Sequence, residues 1–344
     1  MLSKTRYRYA ALLGWSVLAV LAACKPELPE PQPEPSARRV LILNEGNFQW
    51  GNASLDAYDP DARTLRSGVF AAVNGRPVGD VLQSAAYFMD RLYLVVNNSG
   101  TIEVLDTATL VAAGTIAGLV SPRAFLGIHA GKAYVSDLYA GAIAIVDPVA
   151  MRRTGGISLP GWTEALLGRG DTVFVSHMQR PWLYLIDSRS DALIDSVAVG
   201  MGGNSLVLDA TGKLWLLCEG NILDGTGGSL HRIDPATATV EQSWDFGPGL
   251  HPGDLQRSPD GHRLYYLAQS LYAMDIDAAA LPAAPLWPAG ARGYYALGVD
   301  PGDGHLYLSD AIDYVQRGTI YRLAPGGVAV DTFKAGIIPG GFVF

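Results

Sequence analysis

Val146-Asp147-Pro148 closes a short apolar run, and the same ending recurs as Tyr58-Asp59-Pro60, Leu105-Asp106-Thr107, Ile186-Asp187-Ser188, Ile233-Asp234-Pro235 and Met274-Asp275-Ile276. A seventh run, 319–325, keeps the apolar strand but has Ala324 in place of the aspartate, and neighbouring copies lie 40 to 49 residues apart. That period fits a radial repeat in which each unit is one small sheet. Upstream of each ending stands a second apolar run, at 40–45, 92–97, 133–137, 173–177, 214–219, 264–269 and 306–310. These runs are rich in Val, Leu and Tyr on both faces, as expected for sheets packed between neighbouring sheets.

The phase of the repeat against the chain ends predicts how the ring closes. The first unit starts at its second strand, 40–45, while the chain finishes on Gly340-Gly341-Phe342-Val343-Phe344, an innermost strand with no unit of its own. Pairing the tail with the first unit protects both sheet edges. The predicted fold is therefore all-β, a seven-bladed β-propeller over 38–344 closed by the C-terminal strand completing the N-terminal blade. Asp/Gly clusters at 209–213, 259–262 and 301–305 read as hairpin turns after the innermost strands. EF-hand spacing of liganding acids is absent from them.

Residues 1–23 read as a signal segment, with Lys4, Arg6 and Arg8 before an apolar stretch at 10–23 that is too short to span a bilayer. A Pro/Glu-rich tether follows at 24–37, extended because it has no apolar surface to bury. The segment Leu21-Ala22-Ala23-Cys24 resembles the lipobox of bacterial lipoproteins, which implies lipidation of Cys24 and a membrane anchor. Cys218 is the second of only two cysteines and reads as a quiet buried thiol. A formal net charge of −8 provides no electrostatic footprint for nucleic acid.

In this register, the loops joining second to third strands and those joining one blade to the next share a face. They collect Phe48, Trp50, Tyr139, Trp162, Trp182, Tyr294, Tyr295 and Tyr314 beside Asn44, Asn97, His177, Arg180, Asn204, Glu219, Asn221, His251 and Asp310. Aromatics on loops held by a rigid scaffold, with amides and carboxylates to fix orientation, make a binding face for a bulky amphipathic ligand. GxSxG, HExxH and CxxC are all absent, and the six histidines show no ligand spacing. The segment 200–204 reads as a turn between blades and not as a phosphate loop. An alternative is a propeller hydrolase or lactonase holding a divalent metal through Glu45, Asn97, Asp137, Glu219 and Asp310 at second-strand ends. A third reading is a scaffold lipoprotein whose face recognises a protein partner.

The stretches Leu41-Ile42-Leu43-Asn44-Glu45-Gly46-Asn47-Phe48 and Ala53-Ser54-Leu55-Asp56-Ala57-Tyr58-Asp59, with the tail 336–344, resemble the YncE-like bacterial propeller family, in its Bacteroidetes surface-lipoprotein branch. The resemblance implies a non-enzymatic lipoprotein on the outer face of an outer membrane. It further implies capture of cobalamin or another corrinoid as bound ligand and its transfer to a TonB-dependent transporter. No ligand residue carries over by motif, so the site residues above rest on loop position and chemistry.

Overall fold

The computed structural model describes residues 38–344. The predicted signal segment, Cys24 and the tether up to residue 37 lie outside the described residues.

The repeated aspartate earns its place through one turn. Its carboxylate accepts backbone N–H groups two and three residues on, from Asp61 and Ala62 at Asp59, from Ala108 and Thr109 at Asp106, and from Val149 and Ala150 at Asp147. Asp187 and Asp234 cap the N–H groups of Arg189 and Ala236 in the same way. Four residues after each of these aspartates the chain turns left-handed, at Arg63, Leu110, Met151, Asp191 and Ala238. A four-residue turn ending in a left-handed residue bends the third strand back into the fourth and leaves a bulge. The period in the sequence is thus the period of a hairpin.

Seven antiparallel sheets result, six of four strands and one of three. Blade 1 joins Pro339–Val343 to Val40–Asn44, Ser54–Asp59 and Thr64–Arg66. The tail is its innermost strand, with Leu41 opposite Val343, Ile42 opposite Phe342 and Leu43 opposite Gly341. Blades 2 to 5 start on the innermost strands Leu82–Phe88, Pro122–His129, Thr163–Arg169 and Gly203–Leu208, and blade 7 starts on Tyr294–Val299. Blade 6, Gly253–Arg257, Arg263–Ala268 and Ser270–Asp275, has no fourth strand. The following segment carries Pro282, Pro285 and Pro288, which lack the N–H a ladder needs. It touches the blade edge through the Leu271–Trp287 bridge instead.

Each innermost strand packs against the next around a closed circle. Glycines admit the largest side chains at these contacts. Phe88 lies where a side chain on Gly127 would go, and Phe342 where one on Gly298 would go. The core sits between blades, as in the stacked pair Tyr93 and Phe125 at 4.2 Å, or Tyr58 and Phe333 at 4.2 Å.

The predicted hairpin turns lie on one face and are held by their own aspartates. Asp209 accepts from the N–H groups of Thr211 and Lys213 at 2.8 and 3.0 Å and from Trp215 Nε1 at 2.8 Å. On that same face Arg38 forms ion pairs with Asp300 at 2.5 Å and Asp303 at 2.6 Å, so the described chain begins opposite the aromatic loops.

Candidate functional site at the channel mouth

In every blade the innermost strand slips register within its first few residues. The second residue of the strand is Gly340, Gln83, Arg123, Glu164, Asn204, Asp254 and Tyr295 in blades 1 to 7. Bulges re-aim side chains, and here they turn seven equivalent positions toward the axis. Serines near the ends of second strands take up the displaced backbone: Ser136, Ser176 and Ser309 accept from the N–H groups of Ala124, Ala165 and Ala296 at 3.0, 2.9 and 2.9 Å. Gly340 leaves its place vacant for Glu45, whose Oε1 lies 2.3 Å from where a Cβ would stand. The mouth is therefore ringed by Glu45, Gln83, Arg123, Glu164, Asn204, Asp254 and Tyr295.

Arg123 grips Glu164 bidentately, with Nε and Nη2 at 2.8 and 2.7 Å, and gives Nη1 to Gln83 Oε1. Trp162 lies 5.4 Å from the Arg123 guanidinium and donates its indole N–H to Glu164. Tyr295 donates to Glu45 Oε2 at 3.0 Å and meets Tyr314 edge-on at 5.7 Å. Outside this rim stand Phe48, Trp50, Tyr139, Trp182 and Tyr314, all exposed, Trp50 and Tyr139 by about three-quarters. The loops carrying Phe48 and Tyr314 touch through Asn47 Nδ2 and the Tyr314 carbonyl at 2.5 Å.

Burial pushes Glu45 up to about 7, against the lowering effects of Tyr295 and Arg123. Burial also pushes Asp254 up to about 7, with the charges of Glu45 and Glu164 adding to it. Both carboxyls hold their protons more tightly in the folded than in the unfolded chain. Their contribution to stability is therefore largest below about pH 4 to 5 and is lost as pH rises to about 7. At ~1.4 kcal/mol per pKa unit the loss amounts to a few kcal/mol for each group. Thermal unfolding of the Glu45→Gln, Asp254→Asn double variant is expected to show a higher Tm than the parent at pH 8 and a flatter profile between pH 4 and 7. An unchanged profile would mean that these groups ionise freely.

The structure does not bring all the sequence-predicted residues to this face. Asn44, Asn97 and His177 are buried, and each is used inside the protein. Asn44 accepts from the Gly336 N–H at 2.9 Å, Asn97 donates to the Pro122 carbonyl at 3.0 Å, and His177 accepts from the Gln179 N–H at 3.0 Å. Asp310 caps the Ile312 N–H at 2.8 Å, and Tyr294 packs edge-on against Tyr321. Asn204 stands in the ring, donating to the Pro252 carbonyl at 2.9 Å. Glu219 and His251 lie together nearby, His251 Nδ1 being 2.8 Å from the Glu219 carbonyl oxygen, and burial raises the Glu219 pKa. Asn221 bonds to Asp224 at 2.7 Å within its own loop, and Arg180 is exposed.

Of the alternative metal set, Asp137 caps the N–H groups of Ser121, Tyr139 and Ala140, each at 2.8 Å. Among the described residues no three His, Cys, Asp or Glu side chains converge as metal ligands. Cys218 is buried, and its thiol is pushed up to about 12 by that burial.

Gln83, Arg123, Glu164 and Asp254 escaped the reading of the sequence. For Arg123 and Glu164 the signal is a large residue followed by alanine at the start of an innermost strand, as also in Tyr295-Ala296, matched by a serine near the end of the second strand; Gln83-Ser84 and Asp254-Leu255 lack it.

Solved structures share the architecture at low identity. A quinonprotein alcohol dehydrogenase-like protein of Bacteroides thetaiotaomicron is 14% identical, with a TM-score of 0.69 over 88% of this chain and 77% of that one. The periplasmic gluconolactonase of Pseudomonas aeruginosa is 12% identical, with a TM-score of 0.67 over 89% of this chain and 98% of that one. A functionally unknown protein from Desulfotomaculum acetoxidans is 11% identical, with a TM-score of 0.67 and the same coverage. At such identities the likeness is one of fold, and it is shared by proteins of diverse function. No curated protein sequence matches this chain. Residues 39–284 match the family described as Domain of unknown function (DUF5074), and the chain belongs to that family.

Proposed function

We propose that this protein is a capture module. It binds a bulky amphipathic ligand on the aromatic loop face, over the polar ring, without making or breaking a bond in it. The observation that carries this reading is the ring itself: six bulges present five polar side chains and one tyrosine, and Glu45 fills the place Gly340 leaves in the seventh, at a channel mouth rimmed by exposed aromatics. Rigid aromatic area beside convergent polar groups is the chemistry of a binding site for a large ligand with both apolar and amide surface. The YncE-like resemblance of the chain ends points to a corrinoid such as cobalamin. Lipidation of Cys24 would anchor the protein at the outer face of an outer membrane, where a TonB-dependent transporter receives the ligand.

A thermal-shift series with cobalamin, cobinamide, haem and a siderophore tests the reading, because a ligand stabilises the native state according to its affinity and concentration. Cobalamin or cobinamide is expected to raise Tm by several degrees and the others not at all. A shift with haem alone, or with none of the four, contradicts it.

A hydrolytic reading draws on one specific feature, two carboxyls that burial raises toward neutrality, where a general acid or base works best. It requires turnover of a lactone such as glucono-1,5-lactone, lost in the Glu45→Gln, Asp254→Asn variant.

A further inference from the structure

The hydrogen bonds around the ring leave two acceptors unused. Glu164 has both oxygens occupied by Arg123 and Trp162, and Gln83 Oε1 receives Arg123. Asn204 gives its N–H to the Pro252 carbonyl and accepts from Ser205 Oγ at 2.7 Å. Glu45 uses only Oε2, toward Tyr295, and Asp254 uses only Oδ2, toward the Leu297 N–H at 3.2 Å. Among the described residues nothing donates to Glu45 Oε1 or Asp254 Oδ1.

These carboxyls flank Tyr295 on one arc of the ring, in blades 1 and 6 with blade 7 between them. The single cation of the ring is spent on Glu164 across the mouth. Asp254 is packed round by protein with part of its surface open to the channel, and it alone among the seven has a left-handed backbone, at φ 53. Two half-buried carboxyls with spare lone pairs and no cation of their own make an arc that, once both are ionised, accepts and does not donate.

We infer that the arc Glu45, Tyr295, Asp254 is a subsite for a nitrogen group that donates hydrogen bonds, an ammonium or a primary carboxamide. The ligand's apolar body then lies against Trp162 and Tyr314, the aromatic neighbours of Arg123 and Tyr295. The subsite rests on the capture reading and narrows its ligand class. Burial, and at Asp254 the charges of Glu45 and Glu164, raises both carboxyls, an effect that a bound cation or donor would offset.

Three probes with one indole body and different heads test it on the full chain: tryptamine, indole-3-acetamide and indole-3-acetate. Titrations followed by NMR at pH 7.5 should show tryptamine or the acetamide, or both, binding about tenfold or more tightly than the carboxylate. Tryptamine alone identifies the ammonium as the group recognised, and equal binding of the acetamide shows that a carboxamide suffices. The Glu45→Gln, Asp254→Asn variant, which keeps side-chain shape and removes buried charge, should weaken tryptamine about tenfold. Saturating tryptamine should also lower the Glu45 titration midpoint read by carboxyl carbon shifts. Equal binding of all three heads, binding by none, or a double variant that holds tryptamine unchanged overturns the subsite. A parallel cyanocobalamin titration separates the two readings: a bound corrinoid with silent indoles sinks the subsite alone, and bound indoles with a silent corrinoid sink the corrinoid reading alone.

Discussion

A chain ending at Ile338 is expected not to fold. Residues 339–344 are the innermost strand of blade 1, and without them Val40–Asn44, buried at every position, becomes an open edge facing the channel. Val343 is buried, and Phe342 and Phe344 pack against Tyr307. Three such side chains contribute about 1.5–3 kcal/mol each, and each ladder hydrogen bond roughly 1 kcal/mol more. Their sum is comparable to the whole net stability of a domain, about 5–15 kcal/mol. Near-ultraviolet circular dichroism and thermal unfolding of the truncated chain should show no cooperative transition. A melt within a few degrees of the parent would mean that the circle is not held by its tail. Gly298→Val drives a side chain into Phe342 at the same seam and should lower Tm while leaving a cooperative transition.

The second large effect is expected at the rim. Trp50 and Tyr314 stand exposed on adjoining loops of blades 1 and 7, and Tyr314 leans on the ring through Tyr295. Aromatic anchors that become covered by a ligand contribute roughly 1–3 kcal/mol each. Trp50→Ala with Tyr314→Ala should therefore weaken corrinoid binding about 100-fold and change Tm little, since Trp50 is largely exposed and Tyr314 loses only its edge contact with Tyr295. Calorimetric titration of variant and parent checks the affinity, and scanning calorimetry checks the Tm. Equal affinity would move the ligand off this face.

The same particulars show what a sequence can carry. The ring and its closure were readable because an aspartate capping a four-residue turn must be repeated whenever the turn is, and because a tail strand without a blade has one place to go. The missing fourth strand of blade 6 was written in Pro282, Pro285 and Pro288, yet the Asp275 ending hid it by completing the period. Asn44, Asn97 and His177 sit at the ends of second strands like their exposed neighbours, and residue type alone does not tell a side chain that points out from one that caps the next blade. Glu45 reaches the ring only because Gly340, some three hundred residues away, has no side chain. The bulge positions depend on strand register, which apolar periodicity does not resolve to one residue.

The capture reading makes the channel mouth with its aromatic rim a binding site. Titrating the full chain with cyanocobalamin while following tryptophan fluorescence tests it most directly, because Trp50, Trp162 and Trp182 all lie on that face. Saturable quenching at one ligand per chain, weakened about 100-fold in the Trp50→Ala, Tyr314→Ala variant, is the predicted result. Quenching that never saturates, or a midpoint that the variant leaves in place, would contradict it.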